Sequence, residues 1–101
     1  MGQAHTLNIT NPTTFTDGSA FSASTDTAGY EIQIDGAAAV SIPNGYLTTF
    51  DLSTLAVWST LKSGMHTVAL AVVTKEGATG VYGSASFPVL GIPAAPILAV
   101  V

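Results

Sequence analysis

Two histidines, six carboxylates and many hydroxyls are the side chains in this sequence with any reach towards acid–base or metal chemistry. The histidines are His5 and His66, the acids are Asp17, Asp26, Glu31, Asp35, Asp51 and Glu76, and there is no cysteine among 101 residues. A hydrolytic centre needs a base beside a nucleophile and a third group to orient the base. His5 lies near the start of the chain, where backbone tends to be loose, and His66 opens an apolar strand pattern. No serine occupies a nucleophile elbow. Calcium takes six to eight oxygen ligands. Asp17, Asp26 and Asp35 fall near loops but form no Asp-x-Asp-x-Asp run, and Asp17-Gly18 and Asp35-Gly36 read as turns. Without cysteine, thiol catalysis, disulfides and zinc–thiolate sites are excluded. No glycine-rich loop leads into a helix to hold a phosphate. The expectation is therefore no enzyme, no metal and no cofactor.

Lys62 and Lys75 are the only basic residues besides the histidines, and the formal net charge is -4. Neutralising nucleic-acid phosphates takes clustered cations, so a nucleic-acid partner is excluded, and an anionic membrane surface with it. No stretch is long and apolar enough to span a bilayer. The first residues lack the basic start and apolar run of a secretion signal. Gly2 and Thr6 match only the bare myristoylation pattern. Charged residues make up 8% of the chain, against about 25% in an ordinary soluble domain. A surface so poor in charge suits a subunit packed into a larger assembly. A mildly polar secreted module is the other reading.

At 101 residues with 48% hydrophobic content, the chain is long enough for one domain with its own core. Period-two alternation dominates it. Leu7 and Ile9 point one way, and Thr6, Asn8 and Thr10 the other, until Asn11-Pro12 breaks the strand. Asp17-Gly18 predicts a bend between Phe15 and Phe21. Ala20 to Ser24 reads as a short strand and Thr25 to Gly29 as a polar loop. Tyr30, Ile32 and Ile34 face the core in the clearest strand, and Asp35-Gly36 predicts a two-residue hairpin. Its return strand runs from Ala37 to Ile42, with Val40 and Ile42 on one face. After Pro43-Asn44-Gly45, alternation resumes from Tyr46 to Leu52. Leu52, Leu55, Trp58 and Leu61 then recur every three residues, predicting a helical turn over Thr54 to Leu61, with Ser53 as N-cap and Gly64 as its stop. Trp58 is expected to plug the end of the core. His66, Val68, Leu70 and Val72 share one face of a central strand. Its opposite face carries Ala69, Ala71 and Val73, which is unusually apolar for a solvent face. The last strand runs from Val81 to Val89, with Val81, Ala85, Phe87 and Val89 on one side, and Pro88 suits an edge.

Phe50-Asp51-Leu52-Ser53-Thr54-Leu55, followed by Leu61-Lys62-Ser63-Gly64-Met65-His66-Thr67-Val68, resembles the E-to-F crossing of fibronectin type III-like and bacterial or phage immunoglobulin-like modules. Tyr30 to Gly36 is similar to their strand C, and Gly77, Tyr82, Ser84, Ala85 and Phe87 to their F–G region. The likeness covers roughly residues 30 to 89. The usual strand-B tryptophan is absent, and His66 stands where the family has a tyrosine bonded back to the E–F corner. One ring nitrogen of His66 is expected to make a similar bond. The resemblance implies an all-β, two-sheet sandwich of about seven strands, occupying residues 1–89, with a short helical turn between strands E and F. Residues 90–101 are left as an apolar, proline-containing tail or arm.

By the same resemblance, the chain is expected to be a non-enzymatic virion structural protein, such as a phage capsid decoration or tail accessory subunit. Its partners would then be other virion subunits or copies of itself. The alternative is an adhesion or carbohydrate-binding module, extracellular or at the cell surface, that recognises surface glycans through exposed aromatics. Tyr46 and Tyr82 are the candidates for that role. For assembly the candidates are the sheet face Ala69, Ala71 and Val73, and the tail residues Ile97, Leu98, Val100 and Val101. Holding each of these large side chains in water forgoes about 1.5–3 kcal/mol. Three fates are open to the tail: folding back onto its own sheet, adding to a neighbouring subunit, or forming the first strand of a following module.

Overall fold

Alternating apolar residues resolve into two antiparallel sheets in the computed structural model, which describes residues 5–89 and 95–100. Strand β1 (Thr6–Asn8) pairs with β4 (Thr49–Asp51), with Leu7 opposite Phe50. The larger sheet contains β2 (Thr27–Ile34), β3 (Val40–Ile42), β5 (Gly64–Thr74) and β6 (Gly83–Val89), in the order β3-β2-β5-β6. Register aligns the apolar positions. Tyr30 lies opposite Ile42 and Val72, Ile32 opposite Val40 and Leu70, and Ile34 opposite Val68. On the far side of β5, Val68 faces Ala85 and His66 faces Phe87. These side chains form the inner face. Tyr30, Ile32, Ile34, Ile42, Leu52, Val68 and Phe87 are buried there, with Leu7 and Phe50 of the small sheet packed against them. The result is a small β-rich fold with two layers.

The Tyr30 hydroxyl reaches the edge of the core and is fully partnered. The Tyr30 hydroxyl sits 2.5 Å from Asn11 Oδ1 and accepts from Leu47 N at 3.1 Å, while Asn11 Nδ2 donates to Leu47 O at 2.8 Å. This ring of bonds ties the chain after β1 and the approach to β4 onto β2.

The Asp35-Gly36 turn forms as expected, with φ of +53° and +74° and Ala37 N bonded to Ile34 O, but the return strand begins at Val40 and not at Ala37. The Asp17-Gly18 bend forms too, with Thr14 bridged to Ala20. Other expectations need correction. Six strands occur among the described residues, where about seven were expected. Ala20 to Ser24 is no strand. Ala23–Asp26 make one helical turn, because Thr25 Oγ1 bonds to Ser22 Oγ and Asp26 N to Ser22 O, and such local hydroxyl bonds compete with a ladder. Thr27–Gly29 belong to β2 and not to a loop. Val40 lies on the core face but is exposed, since β3 is a short edge strand. Val81 falls outside β6 and is exposed, because Gly80 N is drawn to Val72 O and the ladder restarts at Gly83.

The crossing from β4 to β5 differs in kind. Two 3-10 turns, Leu52–Thr54 and Ala56–Thr60, are separated by an extended Leu55. A strict three-residue apolar repeat is the 3-10 period, so the spacing of Leu52, Leu55, Trp58 and Leu61 fits these turns better than an α-helix. The cap is Asp51, whose Oδ1 accepts from Ser53 N at 2.9 Å, and not Ser53. The turn ends at Leu61, and Gly64 instead opens β5 at φ +127°.

Candidate functional site

His66 begins at the edge of the core and both its ring nitrogens are engaged. Nδ1 lies 2.5 Å from Asp35 Oδ2 and Nε2 lies 2.6 Å from Lys62 O. The second contact is the backward bond expected at this corner. Both partners are acceptors, so the doubly protonated imidazolium satisfies both at once. The Asp35 hydrogen bond, followed by the Lys62 carbonyl, raises the His66 pKa above its ordinary value. The Asp35 carboxyl is held below its own ordinary value, first by His66 and then by Thr67 N, which donates at 2.8 Å. Nε2, the nitrogen a general base would present to a nucleophile, faces a backbone carbonyl. The pair fastens the β2–β3 hairpin to the start of β5.

The same end carries an aromatic column. His66 stacks on Phe87 at 5.8 Å, and Phe87 stacks on Trp58 at 5.9 Å. Trp58 takes His5 edge-on at 5.9 Å. Trp58 is therefore packed against the core, as expected of a plug. His5 is less loose than its position in the chain suggests: its carbonyl accepts from Leu52 N, and its Nδ1 lies 2.7 Å from Asp51 Oδ1. Asp17 and Asp51 serve their own turns, each accepting from the backbone and hydroxyl of the serine two residues on. Those serine bonds lower the pKa of both carboxyls. Among the described residues, no three His, Asp or Glu side chains converge as a metal cage.

The outer face of the larger sheet has a clasp. Tyr82 donates to Glu31 Oε1 at 2.9 Å, and Thr79 Oγ1 lies 3.4 Å from Glu31 Oε2. Glu31 pairs with Ala71, and the β5–β6 register carried one step past Gly83 puts Tyr82 on Ala71's other side. A methyl group between them lets the ring cross β5. Ala71 is 2% exposed, and Ala69 and Val73 beside it are half-buried. The proposed assembly face is thus partly covered by its own chain. Tyr82 remains 36% exposed, with its phenol pushed to a higher pKa by the Glu31 bond. Tyr46, 44% exposed, lies in the connection from β3 to β4.

On the inner face the two layers do not match. A two-stranded sheet lies over a four-stranded one, and an open groove of about 780 Å³ remains between β1 and the inner side of β5 and β6. Leu7, Ile9, Phe15, Leu70, Val72 and Ala85 are among its walls, and among the described residues no charged side chain lines it. Gly83 opposite Leu70 leaves that stretch without a covering side chain. The groove was not foreseen from the sequence. Its only sequence signal is that Leu70 and Val72 lie on a core face for which the N-terminal third supplies one short strand.

Among the described residues, β1 also presents a free edge beside this groove. Leu52 N bonds to His5 O and Ile9 N to Thr48 O, so alternation turns the main-chain groups of Thr6 and Asn8 away from β4. Of the tail residues, Ile97 is 99% exposed, Leu98 84% and Val100 101%. Val101 and residues 90–94, where the tail was expected to begin, lie outside the described residues. Among the described residues no helix is long and apolar enough to cross a membrane. Comparison of the chain with protein-family models, with curated proteins and with solved structures gives no match.

Proposed function

We propose that this chain is a non-enzymatic structural subunit of a protein assembly, and specifically a virion structural protein such as a phage capsid decoration or tail accessory subunit. The observation that carries the assembly reading is the exposure of Ile97, Leu98 and Val100 on a chain that also leaves an uncharged apolar groove open. With 8% charged residues, little electrostatic repulsion keeps copies or partners apart. The immunoglobulin-like or fibronectin type III-like identity belongs to the same proposal. In its support, β2, β5 and β6 are neighbours, the order of strands C, F and G in such sandwiches. The crossing from β4 to β5 also passes between the two sheets, as an E–F crossing does.

The virion reading is tested by immunodetection of the chain in density-gradient fractions of particles purified from its source. Co-migration with particles, at a constant ratio to the major particle protein, is expected. Recovery in the soluble fractions alone rejects it. A second reading, adhesion to cell-surface glycans, draws on the exposed ring of Tyr46, since aromatic faces stack on sugars. A glycan array without a hit counts against that reading.

A further inference from the structure

We infer that the groove between β1 and the β5–β6 inner face receives the 95–100 segment of a second copy of this chain as an added strand. This rests on the assembly reading and names its contact.

Three features of groove and segment match. The first is chemistry. The groove is mostly apolar, with uncharged polar residues such as Asn8, Thr14 and Ser84 among its walls, and Ala95 to Val100 carry no charge either. The second is hydrogen bonding. An added strand needs a row of main-chain donors and acceptors, and the outward groups of Thr6 and Asn8 form one. Pro96 has no N–H to offer, but the residues from Ile97 onward all do. The third is length. Ile97 to Val100 extend over about 13 Å at roughly 3.3 Å per residue, which covers most of the roughly 16 Å that Val68 to Val72 of β5 span along the groove by the same count. Alternation puts Leu98 and Val100 on one face. That face, with its two large branched residues, enters the groove, and Ala99 points away.

In one copy the segment holds Ile97, Leu98 and Val100 in water while Leu70 and Val72 stay half-covered. Docking between copies covers Leu98, Val100, Leu70 and Val72 in one contact, while Ile97 stays on the outward face with Ala99. Reciprocal exchange closes a dimer, and one-way insertion gives an open chain. Both use the same groove and the same segment.

The test uses the full chain and two variants that break opposite halves of the contact. Leu98→Asp with Val100→Asp disables the segment, and these exposed positions leave the domain's own packing untouched. Ala85→Trp fills the groove from an exposed position on β6. If it fails to fold, Val81→Asp at the groove rim replaces it. Light scattering is expected to give the wild-type chain a mass of at least two copies at micromolar concentration. Each variant alone should weaken association by more than about 100-fold and run as a monomer with unchanged circular dichroism. Ala99→Asp should associate like wild type. The decisive step is mixing: a segment-disabled copy retains a groove and a groove-filled copy retains a segment, so the mixture should recover a 1:1 complex.

If the mixture stays monomeric although the wild type associates, the inference is overturned. An oligomer indifferent to Leu98→Asp with Val100→Asp overturns it too, but leaves the assembly reading standing. A wild-type chain that is monomeric throughout, and merely loses thermal stability when Leu98 and Val100 are changed, shows that the segment serves its own domain, and the inference falls.

Discussion

Replacing Tyr30 by phenylalanine isolates the polar ring that joins three parts of the fold. The benzyl body stays in its fully buried site, so no cavity opens and the hydrophobic contribution is retained. What goes is one oxygen that accepts from Leu47 N and donates to Asn11 Oδ1. An unpartnered buried polar group costs about 1–3 kcal/mol. Asn11 and Leu47 are only partly buried, so water reaches them in part, and the combined loss should be about 1–3 kcal/mol and not twice that. A loss of 1 kcal/mol lowers Tm by about 4–8 °C in a domain of this size. Urea denaturation of Tyr30→Phe, Asn11→Ala and the double variant measures it. Because Asn11 also donates to Leu47 O, the three groups act as one unit. The double variant should then cost less than the sum of the singles by at least about 0.5 kcal/mol. Tyr30→Phe within about 0.5 kcal/mol of wild type, or strict additivity, refutes the closed ring.

Gly29→Ala should destabilise by about 1–3 kcal/mol or more, because its Cβ would lie 2.2 Å from Ile42 O, which is backbone and cannot swing aside; chemical denaturation reads this. The His66–Asp35 pair should give stability a plateau with two limbs. His66 has a raised folded pKa, so its contribution is complete below about 6.5 and fades as pH climbs through the raised value, whereas Asp35 has a lowered one, so its contribution is present above about 3.9 and fades as pH falls through the lowered value. In Tm measured against pH, His66→Phe, which keeps a ring on Phe87, should flatten the alkaline limb, and an unchanged limb rejects the pairing. Phenolate absorbance should show Tyr82 titrating above an ordinary tyrosine, and Glu31→Gln should bring it back towards the ordinary range.

The parts of the fold legible in the sequence are those where local chemistry and burial agree. Tyr30, Ile32 and Ile34 alternate, face a buried layer and end in a turn that Asp-Gly accommodates cheaply, so both strand and turn could be read directly. Ala20 to Ser24 alternates as well, but its serine and threonine hydroxyls bond locally, and nothing packed on that segment outweighs them. The repeat from Leu52 to Leu61 was legible as helical, but its three-residue period, which matches the tighter 3-10 helix, was read only as a helical turn, and the cap was placed at Ser53, two residues after Asp51. Glu31 and Tyr82 are 51 residues apart. Their meeting depends on β5 carrying alanine at the crossing point, which follows from register and not from either residue's neighbours. The groove was illegible for a related reason. It arises from a mismatch in strand number between layers, and alternation in any one strand carries no record of how many strands the opposite layer has.

Among the described residues, the four sheet edges differ in how they discourage further pairing, and the difference bears on where a partner strand can add. Natural edges are blunted by brevity, charge or proline. β3 is three residues long, β6 carries Pro88, and β4 carries Asp51 and runs into a capped 3-10 turn. β1 is short as well, but its line continues through Ile9, bonded to Thr48 O, and meets neither charge nor proline until Pro12. It is also the edge beside the open groove, where an arriving strand would gain side-chain burial along with main-chain bonds. The outer face offers less, because Tyr82 already lies across Ala71 and a partner there would gain only the remainder of Ala69 and Val73. Hydrogen-bonding capacity and uncovered apolar surface therefore coincide at one place. That coincidence makes the β1 edge, and not the small-residue outer face, the position at which copies of this chain should meet.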